Sequence, residues 1–185
     1  NIDGTILSDS LNRASITVEA TSNENTIRFN TNNTERIRID NTGKVGIGDN
    51  NPGTQLQITG SEPYITLKNS TDENNDGGCE SRIIFEDHDN IALGQIQCSQ
   101  DGGTNGKGDL IFLTNDGSSL GEKMRIDTNG NIGIGDNDPG TKLQITGSEP
   151  YLTLKNSTNE NTDGGRESKI IFEDHSSTSL GQIQC

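Results

Sequence analysis

Apolar residues along this chain alternate with polar residues in a strict period of two, as in Ile37-Arg38-Ile39, Val45-Gly46-Ile47 and Leu56-Gln57-Ile58. This period is typical of a β-strand with one face buried. A helix requires apolar residues at i, i+3, i+4 and i+7, and no window of the chain shows that spacing. The pattern therefore predicts an all-β fold.

Turn-forming residues interrupt the alternation about every ten residues, a spacing that indicates many short strands. Asn, Asp and Gly are concentrated at these points, as in Asn41-Thr42-Gly43 and Asp116-Gly117, because they accept the backbone angles of tight turns. The predicted strands are Ser15–Glu19, Thr26–Asn30, Arg36–Asp40, Val45–Gly48, Gln55–Thr59, Tyr64–Lys68, Arg82–Glu86, Leu93–Cys98, Asp109–Thr114, Lys123–Asp127, Asn131–Gly135, Lys142–Thr146, Tyr151–Lys155, Lys169–Glu173 and Leu180–Cys185.

A long internal repeat organises these strands. The segment from Ile37 to Cys98 recurs 87 residues later as Met124 to Cys185, and 46 of the 62 aligned positions are identical. Chains that build length by stacking one unit show such repeats. The repeat predicts an elongated β-solenoid or a triple-stranded β-fibre built from 87-residue repeats. Its parts are a partial preceding repeat at 1–36, a first repeat at 37–123 and an incomplete second repeat at 124–185.

The composition limits how thick a core the chain can form. Only 26% of the residues are hydrophobic, and there is no Trp. Such a chain can bury its apolar residues between the rungs of a thin solenoid or between several copies around an axis, and we expect both. The residues predicted to form the core are Ile39, Ile47, Leu56, Ile58, Leu67 and Ile84, with their copies in the second repeat.

The charge excludes several partners. The 28 acidic and 14 basic residues give a net charge of −14, which disfavours a binder of nucleic acid or of an anionic membrane surface. No apolar run approaches the length of a membrane span, so no membrane insertion is expected. The start of the chain has no signal-peptide pattern and no Met, and the chain ends within a repeat, so we expect a segment of a longer protein.

The repeat contains a recognisable motif. Arg38-Ile39-Asp40 and Gly43 precede Val45-Gly46-Ile47-Gly48, and Pro52 and Leu56-Gln57-Ile58 follow. This segment, its copy at 125–145 and Gly108-Asp109-Leu110-Ile111-Phe112 resemble the RID-x-x-G-x-VGIG-x-x-x-P repeat of bacteriophage and marine-virus tail-fibre proteins. The resemblance implies an elongated, usually trimeric β-fibre. The self-cleaving chaperone domain that often follows such fibres is not found in this sequence, which fits a fragment of the shaft.

Repeat and resemblance together predict a structural shaft segment of a viral tail fibre or spike, exposed at the virion surface and without enzymatic activity. The expected partner is the chain itself, as a homotrimer or filament. A host surface receptor would bind regions outside this segment. The alternative is a repeat unit of a cellular extracellular filament or adhesin, and glycosylation of Asn69 and Asn156 would favour it.

Two glycine pairs, Gly46 with Gly48 and Gly133 with Gly135, could be mistaken for a phosphate-binding loop. They lack the third glycine, the Lys-Ser/Thr pair and the following helix of such loops. We interpret these glycines as places where the chain bends tightly or approaches another chain segment closely.

A calcium loop is the one cofactor site that the sequence suggests. Asp72, Asn74 and Asp76 place oxygen atoms at i, i+2 and i+4 before Gly77, the spacing with which calcium loops present their ligands. Ile83 stands where an EF-hand requires an acid, and the second copy retains a single carboxylate at Asp163. A solvated loop between strands is therefore preferred, and no cofactor is expected.

His88 and His175 occupy the same repeat position and could gather an ion at an axis, but without further ligands they are predicted to be surface turn residues. Cys98 and Cys185 are equivalent, whereas Cys79 has no counterpart. An odd number at such distances is not an intrachain disulfide framework, so buried free thiols are predicted, with contact between chains at Cys98 as the alternative.

Three Asn-x-Ser/Thr sequons start at Asn32, Asn69 and Asn156, and they become glycosylated only in a eukaryotic secretory route. The acid pair Glu86-Asp87 is not a glycosidase site, since adjacent residues of a strand point to opposite faces. Carbohydrate binding has weak support because Tyr64 and Tyr151 are the only tyrosines.

Overall fold

The computed structural model describes residues 6–8, 13–18, 25–71, 80–102, 106–157 and 168–184. These residues form strands, turns and extended segments, and none of them is helical, as the alternating pattern predicts. The chain divides into two compact units, Asn1–Thr66 and Leu67–Cys185. The described strands are β1 (Ile6–Ser8), β2 (Ala14–Val18), β3 (Ile27–Thr31), β4 (Thr34–Ile39), β5 (Val45–Ile47), β6 (Leu56–Ile58), β7 (Ser81–Glu86), β8 (Ala92–Gln100), β9 (Gly108–Asn115), β10 (Leu120–Ile126), β11 (Ile132–Ile134), β12 (Leu143–Ile145), β13 (Lys169–Glu173) and β14 (Ser179–Gln184).

The strands form sheets in which neighbours along the chain are also neighbours in space. The first sheet contains β1 to β6 in sequence order, the second contains β7 to β12, and β13 pairs with β14. Short turns rich in Asn, Asp and Gly favour this order, because antiparallel strands can be joined by a few residues. In the two-residue turn between β3 and β4, Asn32 and Asn33 both adopt positive φ angles.

The last pair of strands in each six-stranded sheet is parallel. β5 pairs with β6, and β11 with β12, whereas the other pairs in these sheets are antiparallel. The connections span only residues 48–55 and 135–142. Parallel strands usually require a crossover of about a dozen residues or more. These short connections therefore depend on an unusual local turn, described below.

Most predicted strands are confirmed within one or two residues, but two predictions are wrong. Tyr64–Lys68 and Tyr151–Lys155, here called the first arm and the second arm, contain no assigned strand. Strands require main-chain hydrogen bonds to a neighbour, and neither arm makes a backbone–backbone hydrogen bond to another described residue. The short strand β1 was not predicted.

The predicted core is also not found within the chain. Ile111 is the one buried hydrophobic residue that the described part contains. Ile47, Leu56, Leu67 and Ile84 are all more than a third exposed, as are Ile134, Leu143, Leu154 and Ile171 in the second repeat. Ile39, Ile58, Ile126 and Ile145 are half-buried. The reason is that the contacts between described strands lie within single sheets.

The sheets and the sequence repeat have different phases. The repeat boundaries at 36/37 and 123/124 fall inside β4 and β10. Each six-stranded sheet is therefore built from the end of one sequence repeat and the start of the next. The period of 87 residues is retained, since β4 to β6 and β10 to β12 have the same lengths of connection and the same pairing.

Candidate functional site

An apolar stripe crosses one face of the first sheet. Cross-strand pairing aligns its residues in two rows, one through Ile16, Phe29, Ile37, Ile47 and Ile58 and one through Val18, Ile27, Ile39, Val45 and Leu56. None of these residues is buried, and Leu56 is 54% exposed. Because the strands alternate in the same phase, every strand from β2 to β6 contributes one residue to each row.

The second sheet carries an equivalent stripe. Its rows are Ile83, Ile96, Phe112, Met124, Ile134 and Ile145, and Cys98, Leu110, Ile126, Ile132 and Leu143. Again no member is buried, and Ile83 is 51% exposed. Two rows of aligned aliphatic side chains form a narrow band about 7 Å wide, from the rise of two residues along a strand. We call these two bands the apolar stripes.

The opposite face of the second sheet is polar and more buried. Gln95, Gln97, Ser99 and Asp109 are each less than a tenth exposed. Gln95 Nε2 donates to Gln97 Oε1 at 2.5 Å, and Gln97 Nε2 donates to Glu80 Oε1 at 2.9 Å. Buried polar groups must be hydrogen-bonded, and here the partners are supplied by the chain itself. The sheet therefore satisfies its polar face alone, while its apolar face remains exposed.

Charged groups on the polar faces form two triads of inverted composition. In the second sheet, Arg125 contacts Asp109 at 2.6 Å and Glu122 at 2.8 Å. In the first sheet, Glu35 contacts Arg38 at 2.7 Å and Arg28 at 3.2 Å. Burial raises the pKa of the Asp109 carboxyl, against the opposing effect of the Arg125 guanidinium. Both sheets thus have an ion network at equivalent strands. It contains two arginines and one glutamate in the first sheet, and one arginine and two acidic residues in the second.

The turn between the parallel strands is held by one aspartate. Asp49 Oδ2 accepts from Gln57 Nε2 at 2.6 Å and from Thr59 Oγ1 at 2.9 Å, and Asp49 Oδ1 accepts from the backbone of Asn51 at 2.7 Å. Gln57 Oε1 accepts from Gly53 N at 2.8 Å. These bonds join both ends of the connection. Asp136 makes the same set in the second sheet.

Two glycines per copy make this turn possible. A Cβ on Gly46 would lie 2.2 Å from the Asp49 carbonyl oxygen, and one on Gly133 would lie 2.2 Å from that of Asp136. Gly48 has a φ of +70°, and its Cβ would lie 2.3 Å from the Thr59 carbonyl oxygen. The interpretation of these glycines as points of close approach is confirmed. The motif therefore allows a short connection to join two parallel strands.

Hydrogen bonds from the backbone also hold the turn carboxylates. They lower the pKa of Asp49, chiefly through Asn51 N, and of Asp136, chiefly through Asp138 N. The pKa values of Asp40 and Asp127 are lowered in the same way by Lys44 N and Asn131 N. A lowered pKa means that the ionised carboxylate is the form that fits the fold.

Two polar cavities lie beside these turns. Glu35 and Asp49 line one of about 480 Å³, and Glu122 and Asp136 line the equivalent one of about 240 Å³. Their carboxylates already accept the hydrogen bonds described above. These cavities therefore have no carboxylate left over to recognise a ligand.

The predicted calcium loop, Asp72, Asn74 and Asp76, lies outside the described residues, as does its copy at Asp163. A cluster of three possible ligands was not predicted: Asp87, His88 and Asp89 bring their ligand atoms within 4.8 Å of one another. His88 is exposed in a turn, as predicted, and Asp87 Oδ1 accepts from Asp89 N and Ile91 N. Such a turn explains the cluster without an ion.

The sequons occupy different surroundings. Asn32 is exposed at the β3–β4 turn. Asn69 is half-buried, and its Nδ2, the atom that a glycan would modify, donates to the Glu80 carbonyl at 3.2 Å. Asn156 is exposed. Glycosylation of all three stays a prediction.

The prediction of a buried thiol at Cys98 is wrong, because Cys98 is exposed. It lies in the apolar stripe of the second sheet, opposite Leu110. Cys79 and Cys185 lie outside the described residues. Sequence reasoning expected narrow apolar stripes to be buried between copies around an axis, but it did not show which residues align in each row. The alternation shows which residues of each strand share a face. Aligning these residues in rows across the sheet also requires the register of five strand pairings.

The fold and the stripes define a class: an all-β chain in which each six-stranded sheet has an exposed apolar stripe on one face and polar and charged side chains on the other. Among the described residues, no helix is long and apolar enough to cross a membrane. Solved structures similar to this chain include the carboxy-terminal domain of the bacteriophage T5 L-shaped tail fibre, at 13% identity and a TM-score of 0.33, with 87% of each chain covered.

The same T5 domain solved with its intramolecular chaperone domain is similar at 13% identity and a TM-score of 0.32. That match covers 88% of this chain and 61% of the other. TM-scores of this size do not establish a common fold, so the functional proposal rests on the geometry of the chain itself. No protein-family model matches the sequence. No curated protein matches it either.

Proposed function

We propose that this chain is a structural shaft segment of a viral tail fibre or spike, exposed at the virion surface. Its role is to space and support a receptor-binding tip that lies outside this segment. The observation that carries the proposal is the pair of apolar stripes, one on each six-stranded sheet. A mechanical role requires no further chemistry from the side chains.

The exposed apolar area is too large for a chain that works alone. Between residues 81 and 157, eleven large hydrophobic side chains are more than a third exposed and are about half exposed on average. At roughly 200 Å² for each fully exposed side chain, they present about 1,100 Å² to solvent. A stable protein interface buries about 800 Å² per partner. The total exceeds this value, and it includes Ile84 and Leu93 on the opposite face and three residues of the second arm as well as the stripe.

The partner is a further copy of this chain, and the assembly is a homotrimer. A stripe two residues wide suits convergence of several sheets around an axis, where each copy contributes a narrow band. The polar faces then point outward, and the net charge of −14 keeps the assembly soluble. The resemblance of the repeat to tail-fibre motifs supports the number of three.

Sedimentation velocity tests this proposal. The expected mass is three times the chain mass of 19.8 kDa, with a frictional ratio that indicates elongation. Ile134→Asp places a charge in the stripe and should abolish the trimer, whereas Ser148→Asp adds the same charge at an exposed turn position and should not. A compact wild-type monomer, or an Ile134→Asp variant that assembles as well as the wild type, would contradict the proposal.

A further inference from the structure

The two arms are extended segments without strand partners. No backbone–backbone hydrogen bond joins Tyr64–Lys68 or Tyr151–Lys155 to another described residue. Their side chains are nevertheless apolar: Tyr64 is 82% exposed, and Ile65 is 66% exposed. An extended backbone with alternating apolar side chains has the form of a strand that lacks a neighbour. Each arm can therefore add to the edge of a sheet.

The edge strands β7 and β13 provide suitable positions. β7 is the last strand of its sheet in the described residues, and Ile83, Ile84 and Phe85 are all about half exposed. β13 repeats this with Ile170, Ile171 and Phe172. Three consecutive apolar residues are typical of a strand that is covered on both faces and paired on both edges. As an edge strand, β7 has one unpaired side.

One register matches an arm to this edge. In a parallel pairing, Ile65 lies opposite Ile83, Leu67 opposite Phe85 and Lys68 opposite Glu86. The arm then continues the apolar stripe by one more strand, and the charges at its end are complementary. The antiparallel alternative places Lys68 opposite Arg82, two like charges, which is destabilising.

The second copy gives the same result. The parallel register places Leu152 opposite Ile170, Leu154 opposite Phe172 and Lys155 opposite Glu173. Both arms and both edges recur with the period of 87 residues. A partner must present its arms and edge strands with this same spacing of 87 residues. A further copy of this chain does so because it has the same sequence.

The chain's own arm does not occupy this register. The Leu67 carbonyl accepts a hydrogen bond from Ser81 Oγ at 3.1 Å, which holds Leu67 beside the start of β7. In the parallel register Leu67 would lie opposite Phe85, four residues and about 13 Å further along the strand. Resting on the proposed function, we propose that each arm pairs in parallel with β7 or β13 of a neighbouring copy, so that the copies interlock through main-chain hydrogen bonds.

Cysteine cross-linking between two differently tagged chains tests the register. The native cysteines are replaced by serine in both chains. One chain carries Tyr64→Cys and the other Arg82→Cys, so a bond between positions 64 and 82 can form only between copies. The matched control combines Tyr64→Cys with Glu86→Cys, the pair that antiparallel strands would bring together. After co-expression and oxidation, mass spectrometry identifies the linked peptides.

We expect the 64–82 product to exceed the 64–86 product at least tenfold. A dominant 64–86 product would overturn the parallel register. Absence of both products in an assembly that still sediments as a trimer would overturn the interlock while leaving the proposed function intact. A wild-type monomer would instead refute the proposed function.

Charge exchange gives a second measurement. Reversing both arm lysines, Lys68→Glu with Lys155→Glu, should raise the concentration for half-assembly about tenfold, because attraction becomes repulsion. A partner chain with Glu86→Lys and Glu173→Lys should show the same defect alone. Mixing the two chains should restore assembly in part, since a mixed trimer has opposite charges at two of its three arm–edge contacts and like charges at the third. Failure of the mixture to assemble better than either chain would contradict pairing between copies.

Discussion

Gly133→Ala tests whether the parallel turn defines the sheet. The added Cβ would lie 2.2 Å from the Asp136 carbonyl oxygen and 3.4 Å from Pro139 Cγ. Ordinary contact at such a position begins at 3.4 Å, so the turn would have to move by about 1 Å. The turn resists this movement because Asp136 is bonded to Asp138 N, Gln144 and Thr146.

The expected loss follows from this geometry. Inserting a methyl group into a packed site costs about 1 to 3 kcal/mol, and a clash with backbone places this variant near 3 kcal/mol. For a chain of this length, a loss of that size lowers the melting temperature by roughly 6 to 12 °C. Gly46→Ala makes the same clash in the first sheet and should cost a similar amount.

Thermal unfolding followed by circular dichroism measures the loss, with all variants at one protein concentration because assembly contributes to stability. Gly147→Ala is the matched control, since no atom lies within 4 Å of its added Cβ and its φ is ordinary. This control should be neutral or stabilising by less than about 1 kcal/mol. If Gly133→Ala and Gly147→Ala melt at the same temperature, the close approach does not constrain the fold.

Arg125→Met leaves the carboxylate of Asp109 buried without its guanidinium partner, so we expect the free energy of unfolding in urea to fall by about 3 kcal/mol. Arg38→Met leaves no carboxylate buried in this way and should lose less stability. Equal losses would refute this reasoning. Backbone N–H donors lower the pKa of Asp127 in the folded protein. The stability that its ionised carboxylate contributes is therefore complete above the ordinary pKa of 3.8 and is lost as the pH falls through the lower pKa of the folded state. In an acid titration, the stability of Asp127→Asn should therefore decline less steeply than that of the wild type. Calorimetry with calcium should give no heat, and heat lost in Asp72→Ala would contradict this.

The strands were predictable because their signal is local. A period of two with turn residues between strands is visible within ten residues, and Lys169–Glu173 has the predicted bounds. The role of Gly46 was also predictable, because a glycine within a strand pattern indicates close approach. Each of these inferences depends on a residue and its immediate neighbours.

The core and the arms could not be predicted from one chain. Alternation showed that Leu56 and Ile58 share a strand but not whether another layer covers them. Tyr64–Lys68 has a strand pattern, and the pattern does not contain the identity of the neighbour. The parallel pairing after Gly48 depends on bonds from Asp49 to Gln57 and Thr59, which sequence spacing alone does not reveal.

The parallel pair at the end of each six-stranded sheet determines where the chain leaves it. In an antiparallel meander of six strands, the last strand ends at the same end of the sheet at which the first strand began. Because β6 runs parallel to β5, and β12 to β11, the chain instead leaves at the opposite side. Each six-stranded sheet therefore passes the chain on at the end of its strands opposite to the end where the chain entered, without a segment that crosses back along the strands.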